Sequence, residues 1–204
     1  MSLSAFDTLT ELSNYRARRR IAVRLAIGVV LTIMIAGIGP ALATPVAQTA
    51  AASQMTLGSS QFVNGGPLPL ASTCLGLGLG HPPALQWSGV PSSAHELALL
   101  VTDPQGATGV ISHWVVTAIP TTDPGSAAGK APAGSRQGLD GFLLPLWLPP
   151  CPPPGSLHRY VFTLYAIDTH LTFLLPPTDA QVRNAMTGHI LATSNLAGTF
   201  GILT

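Results

Sequence analysis

The run Cys151-Pro152-Pro153-Pro154-Gly155-Ser156-Leu157-His158-Arg159-Tyr160-Val161-Phe162-Thr163-Leu164-Tyr165-Ala166-Ile167 decides how this chain is read. Its second half, Tyr160 to Ile167, is rich in aromatic and β-branched side chains, which pack well on a pleated surface, so it predicts a central strand. Its first half belongs to a proline-rich stretch, Pro145 to Pro154. Fixed φ and missing backbone donors make that stretch a rigid loop feeding directly into the strand. Side chains of a strand alternate between faces, which puts His158 and Tyr160 on one side and Arg159 on the other. Arg159 is therefore expected to pair with an acid and hold the loop, not to meet a ligand.

Two further strands are expected upstream. Leu97–Thr102 reads as one: Leu97 to Val101 is continuously apolar, as a strand buried on both faces is, and Asp103-Pro104 ends it with a turn. His113–Ile119 follows, with His113 expected to project opposite to Trp114. Downstream, Val182, Met186, Ile190 and Leu191 recur at helical spacing, which predicts a helix over Asp179–Thr193 with Thr178 as its N-cap. Ala197–Phe200 is expected to add a short closing strand. Gly and Pro punctuate the rest, and no internal repeat is visible. The fold class is mainly β with a few helices.

The N-terminus is a separate matter. Of 204 residues only 8% are charged, against roughly 25% in an average soluble domain, and five of the nine basic residues are Arg16, Arg18, Arg19, Arg20 and Arg24. Residues 1–24 read as a basic cytoplasmic region. Residues 25–43 carry no charge, and as a helix at ~1.5 Å per residue they would span about 28 Å, close to the thickness of a bilayer core. Arginines before such a segment keep the N-terminus inside and send the rest of the chain out. The segment ends in Ala41-Leu42-Ala43, a small-x-small site of the kind signal peptidase cuts, so a cleaved signal peptide and a retained signal anchor both stay open. Residues 44–54 read as a linker and 55–204 as one globular domain. From Thr44 onward four basic residues stand against six acidic ones, a net charge of −2 that excludes nucleic acid as an expected partner.

Asp103 at a strand end, His113 opening a second strand and His158 entering a third make a small polar cup. Imidazoles can donate to an anion such as a phosphate monoester, and a carboxylate beside them can hold a donating tautomer or pair with an ammonium. Two histidines and one carboxylate also match a facial metal triad, but no spaced ligand pair supports it, and no metal is expected. Ser112 and Ser156 lie near histidines without a nucleophile-elbow context, so hydrolysis is not expected. His170 and His189 have no local partner and are expected to be ordinary surface residues.

These elements together resemble the phosphatidylethanolamine-binding protein family, in its bacterial Raf-kinase-inhibitor-like branch. Supporting matches are Asn64-Gly65-Gly66-Pro67-Leu68-Pro69, Pro82-Pro83-Ala84-Leu85-Gln86-Trp87-Ser88-Gly89-Val90-Pro91 and Met186-Thr187-Gly188-His189-Ile190-Leu191-Ala192. The resemblance implies a β-sandwich of antiparallel sheets with a C-terminal helix, preceded here by one N-terminal hydrophobic helix. It implies a non-enzymatic pocket for a phosphate-bearing small molecule or lipid head group, lined by Asp103, His113, His158 and Tyr160, with Pro153, Pro154 and Gly155 at its rim. It implies no cofactor. The domain would face outside the cytoplasm, membrane-anchored or exported after cleavage.

The chain departs from the family in three places. The second Asp that usually follows Asp-Pro is Gln105, which makes the pocket less acidic. The glycine-rich stretch before the cysteine is Leu146-Trp147-Leu148-Pro149-Pro150, expected to narrow the mouth. The polar turn after Cys74 is Leu75-Gly76-Leu77-Gly78-Leu79-Gly80-His81. A rim of Leu77, Leu79, Trp147 and Leu148 would suit the alternative to anion binding, a protein-interaction or inhibitor module that docks on an envelope partner through the pocket rim. Both cysteine positions, Cys74 and Cys151, commonly carry cysteine in this branch, and an exported location permits a disulfide between them, with two free thiols as the other outcome.

Overall fold

The computed structural model describes residues 54–76 and 80–202. The expected N-terminal helix over 25–43, the basic region before it, most of the linker, and Leu77 and Leu79 lie outside the described residues. Among the described residues no helix is long and apolar enough to cross a membrane.

Two antiparallel sheets form the domain. Strands β1 (Thr56–Gly58), β2 (Leu85–Ser88) and β5 (Gly125–Ser126) make a three-stranded sheet in the order β1-β2-β5. Strands β3 (Glu96–Asp103), β4 (Ile111–Ile119), β6 (Arg136–Gln137), β7 (Leu157–Ile167) and β8 (Ile190–Gly201) make a five-stranded sheet in the order β6-β4-β3-β7-β8. Strand β3, apolar from Leu97 to Val101, is buried along its whole length at the centre of the larger sheet. Its odd-numbered residues Leu97, Leu99 and Val101 join Phe162 and Leu164 of β7 in the core shared with Leu57, Leu85 and Trp87 of the smaller sheet. Its even-numbered Ala98 and Leu100 face the other way, onto Val182 and Met186. Alternation thus builds two cores on the two faces of one sheet.

The helix α1 spans Asp179–Ala185 and is shorter than expected. Thr178 caps it in a reciprocal box with Gln181, as its sequence position suggested. The helix stops because Gly188 takes a left-handed φ of 84°, and Ile190 and Leu191, assigned to the helix from spacing, open β8 instead. The expected closing strand Ala197–Phe200 is the end of this 12-residue strand.

Register holds one more fact that matters for the site. β4 carries one residue too many at two places, between the pairs Leu97↔Ile119 and Leu99↔Val116, and between Val101↔Trp114 and Thr102↔Ser112. Each is a β-bulge, and the second extra residue is His113.

Candidate functional site

Asp103 is buried at the end of β3, where Pro104 has no N–H to continue the ladder. Both carboxylate oxygens are engaged: Oδ2 accepts from His158 Nδ1 at 2.7 Å and Oδ1 accepts from the Gln105 N–H at 2.7 Å. The first bond crosses from β3 to β7 and fixes the His158 ring, leaving its Nε2 turned away from the acid. Tyr160 lies two residues on, on the same face, and is buried.

His113 reaches this face through its bulge. From Trp114, which is in the core between the sheets, simple alternation would send His113 to the opposite side, and that was the expectation. The structure corrects it: the His113 ring packs edge-on against Tyr160, with centroids 5.1 Å apart, in line with two bulged residues opposing one. Its Nδ1–H donates to the Leu148 carbonyl at 2.8 Å, and Leu148 N–H donates back to the His113 carbonyl at 2.8 Å. Its Nε2 is buried with no partner. Burial pushes the His113 pKa below the ordinary histidine value against the pull of Leu148, Asp103 and Asp140, and the neighbouring His158 lowers it further. The ring is therefore a neutral imidazole whose free nitrogen accepts. The Tyr160 phenol moves the other way, pushed above its usual range by burial first and by the Asp103 charge second, so it stays a donor.

Sequence reasoning missed Asp140. Its carboxylate is buried, its Oδ1 accepts from Phe142 N–H at 2.8 Å and Leu144 N–H at 2.9 Å, and its Oδ2 is unpartnered. The signal was present as an Asp before Gly and an apolar run, a pattern that favours a side chain capping its own loop. Leu143 within that loop sits at φ 62°, a left-handed conformation that costs a bulky residue about 1–2 kcal/mol.

A family model described as phosphatidylethanolamine-binding protein matches residues 58–201. The chain belongs to the phosphatidylethanolamine-binding protein family. A UPF0098 protein of Methanothermobacter thermautotrophicus is 38% identical, over 72% of this chain and 98% of its own. A Mycobacterium tuberculosis protein with the lipoprotein name LppC is 37% identical, over 74% of each. Among solved structures, the Chlamydia trachomatis homolog CT736 superposes with a TM-score of 0.68 at 36% identity, covering 72% of this chain and 97% of that one.

In this phosphatidylethanolamine-binding protein homolog the four expected residues Asp103, His113, His158 and Tyr160 come together. Pro154 and Gly155 form an exposed turn just ahead of His158, with Gly155 at φ 80° and its N–H on the Ile202 carbonyl. Gln105 turns away from the cup, onto the β7 backbone.

Within the Leu146–Pro150 stretch one residue departs from the expectation. Trp147 is not at the mouth: it is 5% exposed, stacks on Phe162 and donates from Nε1 to the Ser72 carbonyl. A bulky indole in a formerly glycine-rich stretch fills core volume, which is where so much apolar area is worth most. Beside it lies an apolar cavity of about 730 Å³, lined by Leu144, Leu146, Leu148, Pro149 and the bonded pair Cys74–Cys151. The cup residues are not among its walls. The sulfur atoms of Cys74 and Cys151 are joined at 2.12 Å, next to the Cys74 N–H bond to the Pro150 carbonyl.

Three smaller expectations also change. The Arg159 side chain is exposed and makes no ion pair among the described residues. His170 meets Glu96, the first residue of β3, at 3.2 Å and His189 meets Asp168 at 2.8 Å, so both remain surface residues but have partners that only the folded chain brings near.

Proposed function

We propose that this chain is a non-enzymatic, extracytoplasmic binding protein whose cup of Asp103, His113, His158 and Tyr160 takes a phosphate-bearing small molecule or lipid head group. The single observation that carries the reading is the buried, unpartnered Nε2 of His113, beside a phenol that remains a donor. A buried polar atom without a partner is uncommon in a finished core and calls for a ligand or water. Tyr160 donates to a phosphate oxygen, His158 presents Nε2, and His113 accepts a proton that the ligand brings.

The location is supported by the arginine cluster, the uncharged run 25–43 and the Ala-Leu-Ala site, by the lipoprotein name of the mycobacterial relative, and by bonded cysteines, which suit an oxidising compartment.

The test is titration calorimetry of the full chain with inorganic phosphate and with phosphoethanolamine, followed by phosphorus NMR of the ligand afterwards. Binding weakened about tenfold or more in His158→Ala supports the reading, since a charge-assisted hydrogen bond contributes about 1.5–3 kcal/mol. Absence of heat with both ligands, or a ligand chemically altered by the protein, refutes it.

A further inference from the structure

We propose that the Phe142–Leu146 loop docks the domain on the interfacial layer of a neutral, zwitterionic lipid bilayer beside the cup. The proposal rests on the head-group reading above and names the source of that head group as a bilayer. Phe142, Leu143, Leu144 and Leu146 are 72%, 67%, 49% and 42% exposed, and with Pro145 they leave no polar side chain in the loop. Gly141 packs against Ile111, next to Val110, which is 69% exposed. The apolar surface therefore continues from one loop bordering the cup to the other. Neither segment 104–112 nor segment 141–157 holds an ionisable side chain. The nearest exposed charge in sequence is Arg159, which strand alternation turns to the face opposite His158 and the cup, so the two loops themselves offer nothing for anionic lipid or a charged protein patch to attract.

Exposed leucines alone would not choose a membrane over a protein partner, but the backbone beneath them does. Every N–H from Asp140 to Leu146 is closed inside the loop or on its neighbour: Asp140 on Leu144 O, Gly141 on Ser112 O, Phe142 and Leu144 on Asp140 Oδ1, Leu143 on Asp140 O and Leu146 on Leu144 O. Pro145 has none. In water or against a protein an open amide finds an acceptor in the solvent or the partner, whereas backbone that follows its side chains toward hydrocarbon finds none, so a loop with every donor closed is fitted to a bilayer. The second apolar loop of the domain makes the contrast. Leu174 and Leu175 are 101% and 79% exposed, yet no hydrogen bond of the described residues closes their N–H groups.

Asp140 acts at both places. It closes two loop amides, and its charge reaches His113 in the cup. A head group in the cup and side chains in the interface would thus be held by the same bilayer, with the linker after residue 43 short enough to keep the domain near the surface if the apolar run stays in place.

The experiment places a nitroxide label at Leu143→Cys in the full chain, with the native disulfide kept, and reads its collisions with oxygen and with a water-soluble nickel chelate on phosphatidylcholine vesicles. The same label at Asn184→Cys on the exposed side of α1 is the control, and Phe142→Cys is the second loop site if the first variant does not fold. The expected result is a reversal at the loop, from chelate-accessible in buffer to oxygen-accessible on vesicles, unchanged in high salt, with no change at Asn184. A loop label that stays chelate-accessible on vesicles overturns the proposal, as does one shielded without vesicles as protein concentration rises, which would mean a second copy covers the face. Phosphate titration of the same labelled protein separates the two readings. Loop insertion without phosphate binding overturns the head-group cup, and phosphate binding with a chelate-accessible loop on vesicles overturns the docking.

Discussion

Gln105 completes a ladder that Pro104 cannot: its Oε1 accepts the Arg159 N–H at 2.7 Å, and its Nε2 donates to the Leu157 carbonyl at 3.5 Å. The β3–β7 register runs Thr102↔Val161, so continuing it would set Arg159 against Pro104, which has no N–H. A side-chain amide, carrying one donor and one acceptor, stands in for a backbone unit there. The aspartate usual at this position in the family has no donor for Leu157 when ionised. Gln105→Ala is expected to lower stability by about 1 kcal/mol and to speed amide hydrogen exchange at Arg159. Unchanged exchange at that residue would mean that the amide carries nothing.

His113 should mark the stability curve in pH. Its folded pKa is lowered, chiefly by burial, so in the window between that value and the unfolded value of about 6.5 the unfolded state binds more protons. Its contribution is present above about pH 6.5 and is lost as pH falls below it. Denaturant melts at descending pH should show less of this loss in His113→Gln than in the unaltered protein. Parallel curves for the two would argue against a buried neutral ring.

Ligand choice should depend on the ligand's own proton. Because His113 spends its Nδ1–H on Leu148, its Nε2 accepts and does not donate. Phosphate monoesters, with a second pKa near 6, carry a proton to it as pH falls, whereas sulfate carries none. The monoprotonated fraction of such a monoester grows about fiftyfold from pH 8 to pH 6, so phosphate-monoester affinity should rise by up to about that factor and exceed sulfate affinity. Equal binding of the two anions in calorimetry would contradict this.

Asp140→Asn should leave the loop standing, since an amide oxygen can still accept from Phe142 and Leu144. It should also lower the His113 pKa further, because the carboxylate charge that raises it is gone. Asp140→Ala should cost about 2 kcal/mol through the loss of two hydrogen bonds from loop amides to the one carboxylate oxygen. Imidazole proton NMR and urea melts read the two effects separately.

Cys74 and Cys151 close a span of 77 residues. Cys151→Ser should lower stability by about 2–5 kcal/mol relative to the oxidised chain. Mass measurement with and without reductant reports the bond directly, and two free thiols in protein taken from the cell envelope would remove it from the account.

Much of this was legible in sequence because it follows from alternation and composition. An unbroken apolar run gave β3, aromatic and β-branched density gave β7, and Thr178 with Gln181 gave the start of α1. What escaped were the places where one residue overrules a pattern. Gly188 ended a helix whose spacing continued through Ile190 and Leu191. His113 crossed to the face that alternation denied it. Trp147 went inward from a proline-rich loop because an indole gains more in the core than at a rim. Asp140 was missed since a lone acid before a glycine looks like any turn until its two loop amides are seen.

β4 spends nine residues to accompany seven of β3, from Leu97 to Asp103. The length of this strand is therefore a quantity the molecule depends on, as much as the identity of any side chain in it. A single-residue deletion between Ile111 and Trp114 would straighten the bulge, keep the hairpin paired and turn the imidazole out of the cup. Among descendants of this gene, then, changes of letter in β4 should be tolerated far more often than changes of count.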